Sequence, residues 1–236
     1  ADIGVGMGIT GTDVTKNVAD MVLADDNFAT IVGAVGEGRR IYDNIRKAIQ
    51  FLLASNMSEV LGVFVATLLG FTLMNPVHLL FINLITDCFP ALALGLEREE
   101  PDVMERPPRP SDDGIFAGGL GWDIAYQGIL ITVITLVSYI IGHCMEVGYF
   151  EMPKGVSDDG MTMAFLTMSM CEIFHSFNMR SQRRSVFSLP SHNKVLWLAM
   201  IGSLLLTTVV LEVPFIANAF GFTPVTNFIE GLFCIY

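Results

Sequence analysis

The chain has 236 residues, of which 52% are apolar and only 16% charged, and its mean hydropathy is +0.56. That balance is too apolar for a water-soluble domain of this size and indicates a membrane protein. A net charge of −11, with no basic cluster interleaved with aromatics, argues against nucleic acid as a partner. Cys88, Cys144, Cys171 and Cys234 lie in or beside hydrophobic runs without C-x-x-C spacing, so they read as small core residues rather than as a disulfide framework or a zinc site.

Residues 1 to about 33 have the texture of a soluble α/β unit, with apolar runs at Asp2 to Met7 and at 21 to 25. The opening lacks a charged start followed by an apolar core, and lacks an initiator Met, so it reads as the interior of a domain in a longer polypeptide. Gly4, Gly6, Gly8 and Gly11 imitate a dinucleotide-binding loop. A Rossmann fingerprint, however, places its glycines after a strand and at the opening of a helix, with an acid about 20 residues on. Here they interrupt the apolar run itself, which favours strand-end glycines.

From Glu37 the pattern turns helical, and "GRRIYDNIRKAIQ" leads without a breaker into "FLLASNMSEVLGVFVATLLGF". This predicts a boundary at 36/37 and one long helix, basic and amphipathic first and lipid-like later. A membrane span needs about 20 mostly apolar residues. Five are expected, at about 48–71, 76–95, 120–143, 161–179 and 195–213, and a sixth at 226–236 is too short to cross. Asn75 and Pro76 read as the N-cap and first-turn proline of the second span. The expected fold is therefore a membrane all-α bundle of five complete transmembrane helices and an incomplete sixth (37–236), behind a short α/β piece (1–36).

Twelve of the thirteen Lys and Arg residues fall on one side of these spans, and the other side holds only Lys154. The basic side is expected to be the cytoplasm, so residues 1–47 read as cytoplasmic in a multi-pass protein of the plasma membrane or an endomembrane. The far side receives a tight turn near 71–76, an acidic loop near 146–159 and a loop near 215–224.

The second span carries Asn83, Thr86 and Asp87, although an acid at the bilayer centre costs about 2.5–3.5 kcal/mol. At 100° per residue the three fall within an arc of about 100°. Pro90 lacks an N–H, which is expected to free the Thr86 carbonyl for the same spot. In the first span Asn56 and Glu59 are three apart and are expected to share a face. At 1.5 Å per residue, Glu59 lies about 16 Å from the cytoplasmic end and Asp87 about 16 Å from the far end, so both reach the midplane. Carboxylates, amides, a hydroxyl and a carbonyl at one depth suit a hard cation such as Ca²⁺, and the absence of His or Cys there disfavours zinc and copper. Helix-to-helix hydrogen bonding accounts for Asn56 or Thr86 singly, and less well for two acids at one depth. Glu172, in the fourth span and one turn from Ser169, is a further candidate for the cation path. His78, His143 and His192 read as interfacial, and Met161, Met163, Met168 and Met170 as packing residues.

At "ASNMSEV" and "FINLITDCFPALALGLEREEPDVMERPPR" the chain resembles the C-terminal half of a P-type cation-transporting ATPase of the calcium-pump type. The segment "ADIGVGMGITGTDVTKNVADMVLADDNFATIV" is similar to the end of that family's HAD-like phosphorylation domain, and the resemblance covers essentially the whole chain. It implies that Asn56, Glu59, Asn83, Thr86 and Asp87 are metal ligands, with Asp87 able to bridge two ions. Sodium-potassium pumps typically have an aspartate where Asn83 stands, which favours calcium. Two departures stand out: Ser169 replaces a glutamate of the two-ion pumps, with Glu172 one turn away, and Cys88 replaces a glycine. Together they give an expectation of one ion per cycle.

The resemblance further implies ATP-driven transport through an aspartyl-phosphate. The D-K-T-G-T motif, the nucleotide domain and the G-D-G-x-N-D magnesium loop are absent from these residues. ATP and Mg²⁺ are thus expected to bind outside this chain, which needs the N-terminal half of the same pump and a lipid bilayer as partners and is expected to be inactive alone. The long helix would carry movement of the cytoplasmic domain to Asn56 and Glu59. A related pump for Mn²⁺ or Na⁺, or a non-catalytic membrane cation-binding module or channel, are the alternatives.

Overall fold

The structure, a computed structural model, describes residues 3–110, 112–189 and 192–222. It divides into two compact units, Ala1–Asp43 with Arg98–Pro108, and Asn44–Glu97 with Arg109–Tyr236. The division therefore falls at 43/44 instead of the expected 36/37.

In the first unit, strands β1 (Val5–Met7) and β2 (Met21–Leu23) pair in parallel, joined by helix α1 (Asp13–Val18). The Thr12 hydroxyl caps α1 by accepting from the Thr15 N–H at 3.3 Å. A Cβ on Gly8 would lie 2.6 Å from the Leu23 carbonyl oxygen. That glycine is needed for backbone packing beside the sheet, in line with the strand-end reading. Asp26 has a left-handed φ of 51°. Its carboxylate accepts from the N–H groups of Ile9 at 2.8 Å and Thr10 at 2.7 Å, and from the Thr10 hydroxyl at 2.7 Å. The Ile9 amide first, then Thr10, hold its carboxyl below the ordinary value of 3.8.

Helix α2 (Ala29–Leu69) is unbroken over 41 residues, and begins eight residues before Glu37, where the sequence pattern placed its start. Gly33, Gly36 and Gly38 disguise the first turns, since each costs about 1 kcal/mol of helix propensity. The start is fixed by Asn27, whose side chain accepts from the Ala29 N–H at 3.0 Å, and by Thr30, whose hydroxyl donates to Asp25 at 2.6 Å. Further along, Arg39 donates to the carbonyls of Val103 at 2.9 Å and Arg106 at 2.8 Å. Arg106 in turn pairs with Asp43, and with Asp102 at 3.0 Å. Burial alone would lower its affinity for the proton, but Asp102 and Asp43 outweigh that and hold the guanidinium above its ordinary value. These ties bring segment 98–108 and the first half of α2 into one unit.

The second unit continues through α3 (Pro76–Phe81), a π-helical segment (Ile82–Asp87) and α4 (Cys88–Gly95), which succeed one another without a break. Then come α5 (Leu120–Val147), α6 (Asp158–Asn178), α7 (Lys194–Glu212) and α8 (Pro214–Phe220). Among the described residues, four helical stretches are long and apolar enough to cross a membrane: Ala29–Leu69, Pro76–Gly95, Ala117–Val147 and Lys194–Glu212. Helix α6 is not among them. Asp158, Asp159 and Glu172 lower its hydropathy, and more than half of its residues are buried against other helices. The expected sixth span at 226–236, with Cys234, lies outside the described residues. The far-side segment expected to be a loop near 215 instead forms α8, which starts at Pro214 and ends at Gly221 with φ 75°.

The main core gathers Phe71, Tyr139, Met161, Phe165, Met168 and Phe222, so two of the four methionines pack as expected and Met163 is buried as well. Cys88, in contrast, is exposed, not a core residue. His78 is also placed differently from its interfacial reading, being fully buried. Its Nδ1 accepts from the Asn75 N–H at 3.2 Å, its Nε2 lies 2.7 Å from the Phe220 carbonyl, and its ring stacks on Phe222 at 4.1 Å. A donor faces one ring nitrogen and an acceptor the other, so the proton sits on Nε2.

At the opposite end of these helices, buried Glu97 accepts from Arg180 Nε at 3.1 Å and Nη2 at 2.9 Å. Asn193, the N-cap of α7, donates to Glu97 at 2.9 Å and to the Ala93 carbonyl at 2.8 Å. Asn44 of α2 donates to the Glu97 carbonyl at 2.7 Å. One carboxylate thus ties the ends of α4, α6 and α7, and its own backbone ties in α2.

Candidate cation site

Helix α2 turns Ala54, Ser55, Ser58 and Glu59 inward, all buried. Ser55 and Glu59, four apart, differ by only about 40° around the helix and so share a face. Asn56 falls on the other side of that edge. It is exposed, and its amide donates back to the Leu52 carbonyl at 2.7 Å. The structure therefore does not bring Asn56 to Glu59, because the face the two were expected to share straddles the rim of the buried arc.

The second stretch bends the pattern further. Its middle turn is π-wound, with the Cys88 N–H bonded to the Asn83 carbonyl, five residues back. A π turn inside a helix is rare and tends to sit at functional positions. Beside this turn the Ser203 hydroxyl donates to the Ile85 carbonyl at 2.8 Å, and Pro90 follows in α4.

Three side chains of this turn meet the other helices. The Asn83 amide nitrogen lies 2.8 Å from both oxygens of Glu59 and 2.9 Å from the Leu79 carbonyl. The Thr86 hydroxyl is 2.9 Å from the Ile82 carbonyl and 3.0 Å from Glu172 Oε2, with a single proton to share between them. Asp87 is 1% exposed, and neither of its oxygens has a hydrogen-bond partner. Ser55 adjoins it from α2; the sequence reading passed over this serine, although its spacing of four from Glu59 marked the shared face.

Glu59, Asp87 and Glu172 each offer a carboxylate oxygen, and these three atoms all lie within 4.8 Å of one another. The centre of such a triangle is at most about 2.8 Å from each oxygen, within the reach of a hard divalent cation such as calcium, which takes oxygens at about 2.3–2.6 Å. Three buried carboxylates so close repel one another and are costly without a positive partner. Glu172 Oε1 and both Asp87 oxygens are left without a partner of good hydrogen-bond geometry, so the cluster offers oxygens that could hold a cation. Ser169 is fully buried, and its hydroxyl bonds to none of the three.

Residues 71–234 match the family model described as cation transporting ATPase, C-terminus. The chain belongs to this family. Among curated relatives of this cation transporting ATPase chain, the calcium-transporting ATPase 1 of Bacillus cereus is 43% identical over 231 residues, covering 94% of the chain and 26% of the relative. The calcium-transporting ATPase of Bacillus subtilis is 46% identical over 216 residues, covering 91% and 23%. An endoplasmic reticulum-type calcium-transporting ATPase of Arabidopsis thaliana is 37% identical over 278 residues, covering 96% and 26%. The chain spans about a quarter of the length of the curated relatives it matches.

Proposed function

We propose that this chain is the cation-binding membrane portion of an ATP-driven calcium pump, with Glu59, Asn83, Thr86 and Asp87 forming the site that holds the transported ion. The observation that carries the reading is the convergence of three buried carboxylates from α2, the π turn and α6, in a chain of the cation transporting ATPase family. The names of its relatives favour calcium as the cargo. Helix α6 acts as the fourth span in this reading, its acids sheltered by neighbours from lipid. The basic side is cytoplasmic, and ATP, Mg²⁺ and the aspartyl-phosphate belong to the N-terminal portion of the pump. The unbroken α2 carries movement of that portion to Glu59, while Asn56 joins the ligand set only after turning from its bond to Leu52.

The test is calcium-dependent phosphorylation by ATP in the complete pump carrying Asp87→Asn. Loss of one carboxylate from a dehydrated site is expected to raise the calcium requirement by about a hundredfold or more. An unchanged calcium requirement removes the site. Stimulation by Mn²⁺ or Na⁺ in place of calcium, measured in the unaltered pump, reassigns the ion.

A further inference from the structure

The connector 179–193 between α6 and α7 differs in charge from the rest of the chain. The whole sequence has 24 acids against 13 Lys and Arg, yet 179–194 holds Arg180, Arg183, Arg184 and Lys194 and no acid. Buried Glu97 engages Arg180, whereas Arg183, Arg184 and Lys194 are exposed. Beside them Phe187, on the short helical turn Val186–Ser188, is 99% exposed. A single exposed phenyl ring is ordinary; one set among cations at the end of a membrane helix is the pattern of an interfacial segment. The connector is held in place, because the Ser181 hydroxyl accepts from the N–H groups of Arg183 at 3.2 Å and Arg184 at 3.0 Å, and Gln182 donates to Gln50 of α2 at 2.8 Å. The two tryptophans of the chain mark its level. Trp122 in the first turn of α5 and Trp197 in the first turn of α7 are 83% and 44% exposed, and tryptophan gathers where a helix leaves the hydrocarbon.

We propose that the connector between α6 and α7 binds anionic phospholipid of the cytoplasmic leaflet, with Arg183 and Arg184 pairing with phosphate and Phe187 entering the boundary between headgroups and acyl chains. Guanidinium groups take phosphate oxygens in a bidentate fork, and a leaflet containing acidic lipid attracts cations at its surface. A bilayer suits this segment better than a protein partner, because the ends of α6 and α7 hold it at headgroup level and the acyl boundary takes the Phe187 ring without a shaped pocket. The proposal goes beyond the calcium-pump reading: it rests on α6 and α7 being membrane spans, and not on which ion is carried.

The experiment uses the complete pump carrying Phe187→Trp, reconstituted in phosphatidylcholine vesicles with brominated phosphatidylglycerol or brominated phosphatidylcholine as quencher. Fluorescence of the added tryptophan is taken by difference from the unaltered pump. At low salt it is expected to be quenched by both lipids, with phosphatidylglycerol preferred by about tenfold or more. That preference is expected to fall about fivefold on adding Arg184→Gln, and to vanish with Arg183→Gln and Arg184→Gln together or in about 1 M salt. With Arg183→Lys and Arg184→Lys, which keep the charge, it is expected to survive. Arg184→Gln alone, at an exposed position, decides the matter should the double variant fail to fold. Equal quenching by the two lipids at low salt, or a preference that neither glutamine variant lowers, overturns the proposal. So does a tryptophan that no brominated lipid quenches: where acrylamide reaches it the ring is in water, and where acrylamide does not, protein covers it. Calcium-dependent phosphorylation of the unaltered pump is read separately, so failure here leaves the cation site standing.

Discussion

Replacing Arg180 by Met removes a guanidinium of similar length from beside a carboxylate that has almost no access to water. Glu97 is 4% exposed and Arg180 5%, and the two form a bidentate pair with donor distances of 3.1 and 2.9 Å. A solvent-exposed pair would contribute about 0–1 kcal/mol, but breaking a buried pair from one side costs about 3–5 kcal/mol, because the remaining charge is stranded. Asn193 keeps its bond to Glu97, which places the expected cost near the lower end, about 3 kcal/mol. At 1.4 kcal/mol per factor of ten, local opening becomes about a hundredfold more frequent. Hydrogen exchange in the complete pump reads this at the amides of Glu97 and Leu196, which are bonded to the Leu94 carbonyl and to the Asn193 side chain. Their protection is expected to fall about a hundredfold, while amides around Phe165 in the other core cluster stay unchanged. Glu97→Gln combined with Arg180→Met leaves no stranded charge and is expected to restore most of the protection. A fall of less than threefold in the single variant, or a double variant no better protected, would refute the argument that burial sets the strength of this pair.

A Cβ on Gly142 would sit 2.8 Å from the Asp159 carbonyl oxygen and 3.0 Å from the Gly160 Cα, so Gly142→Ala gains about 1 kcal/mol of helix propensity but forces α5 from α6 at about 1–3 kcal/mol. Overpacking is expected to win, lowering the midpoint of thermal unfolding in detergent, and a raised midpoint would contradict the close approach. The depressed carboxyl of Asp26 adds stability above its ordinary value of 3.8, and that stability is lost as pH falls through its lower folded value. Protection of the Ile9 and Thr10 amides, corrected for intrinsic exchange, is therefore expected to drop between pH 6 and pH 3. In Asp26→Asn, a residue that also tolerates the left-handed φ, protection is expected to be weaker and independent of pH; equal protection of the unaltered protein at both pH values would show that the carboxylate is not what holds the loop.

The sequence by itself determined what depends on local period and composition. Runs of apolar residues marked the helices at 76–95, 120–143, 161–179 and 195–213, and Asn75, Pro76 and the strand-end glycines marked boundaries because capping and close approach are written into single residue types. The common depth of Glu59 and Asp87 was legible because helical rise is the same in every helix, whatever packs around it. Which face each helix turns inward was decided only by tertiary structure. Asn56 and Glu59 are neighbours on a helical wheel, yet the rim of the buried arc passes between them. Ser169 and Glu172 are likewise one turn apart, yet only the glutamate reaches Thr86 and the carboxylates. The π turn at 82–87, the burial of His78 under Phe220 and Phe222, and the early start of α2 beneath its glycines all rest on contacts with residues distant in the chain or on caps that propensity does not weigh. Lateral position in a bundle is a property of the neighbours a helix meets, and a single chain read by its periodicity carries depth without carrying that.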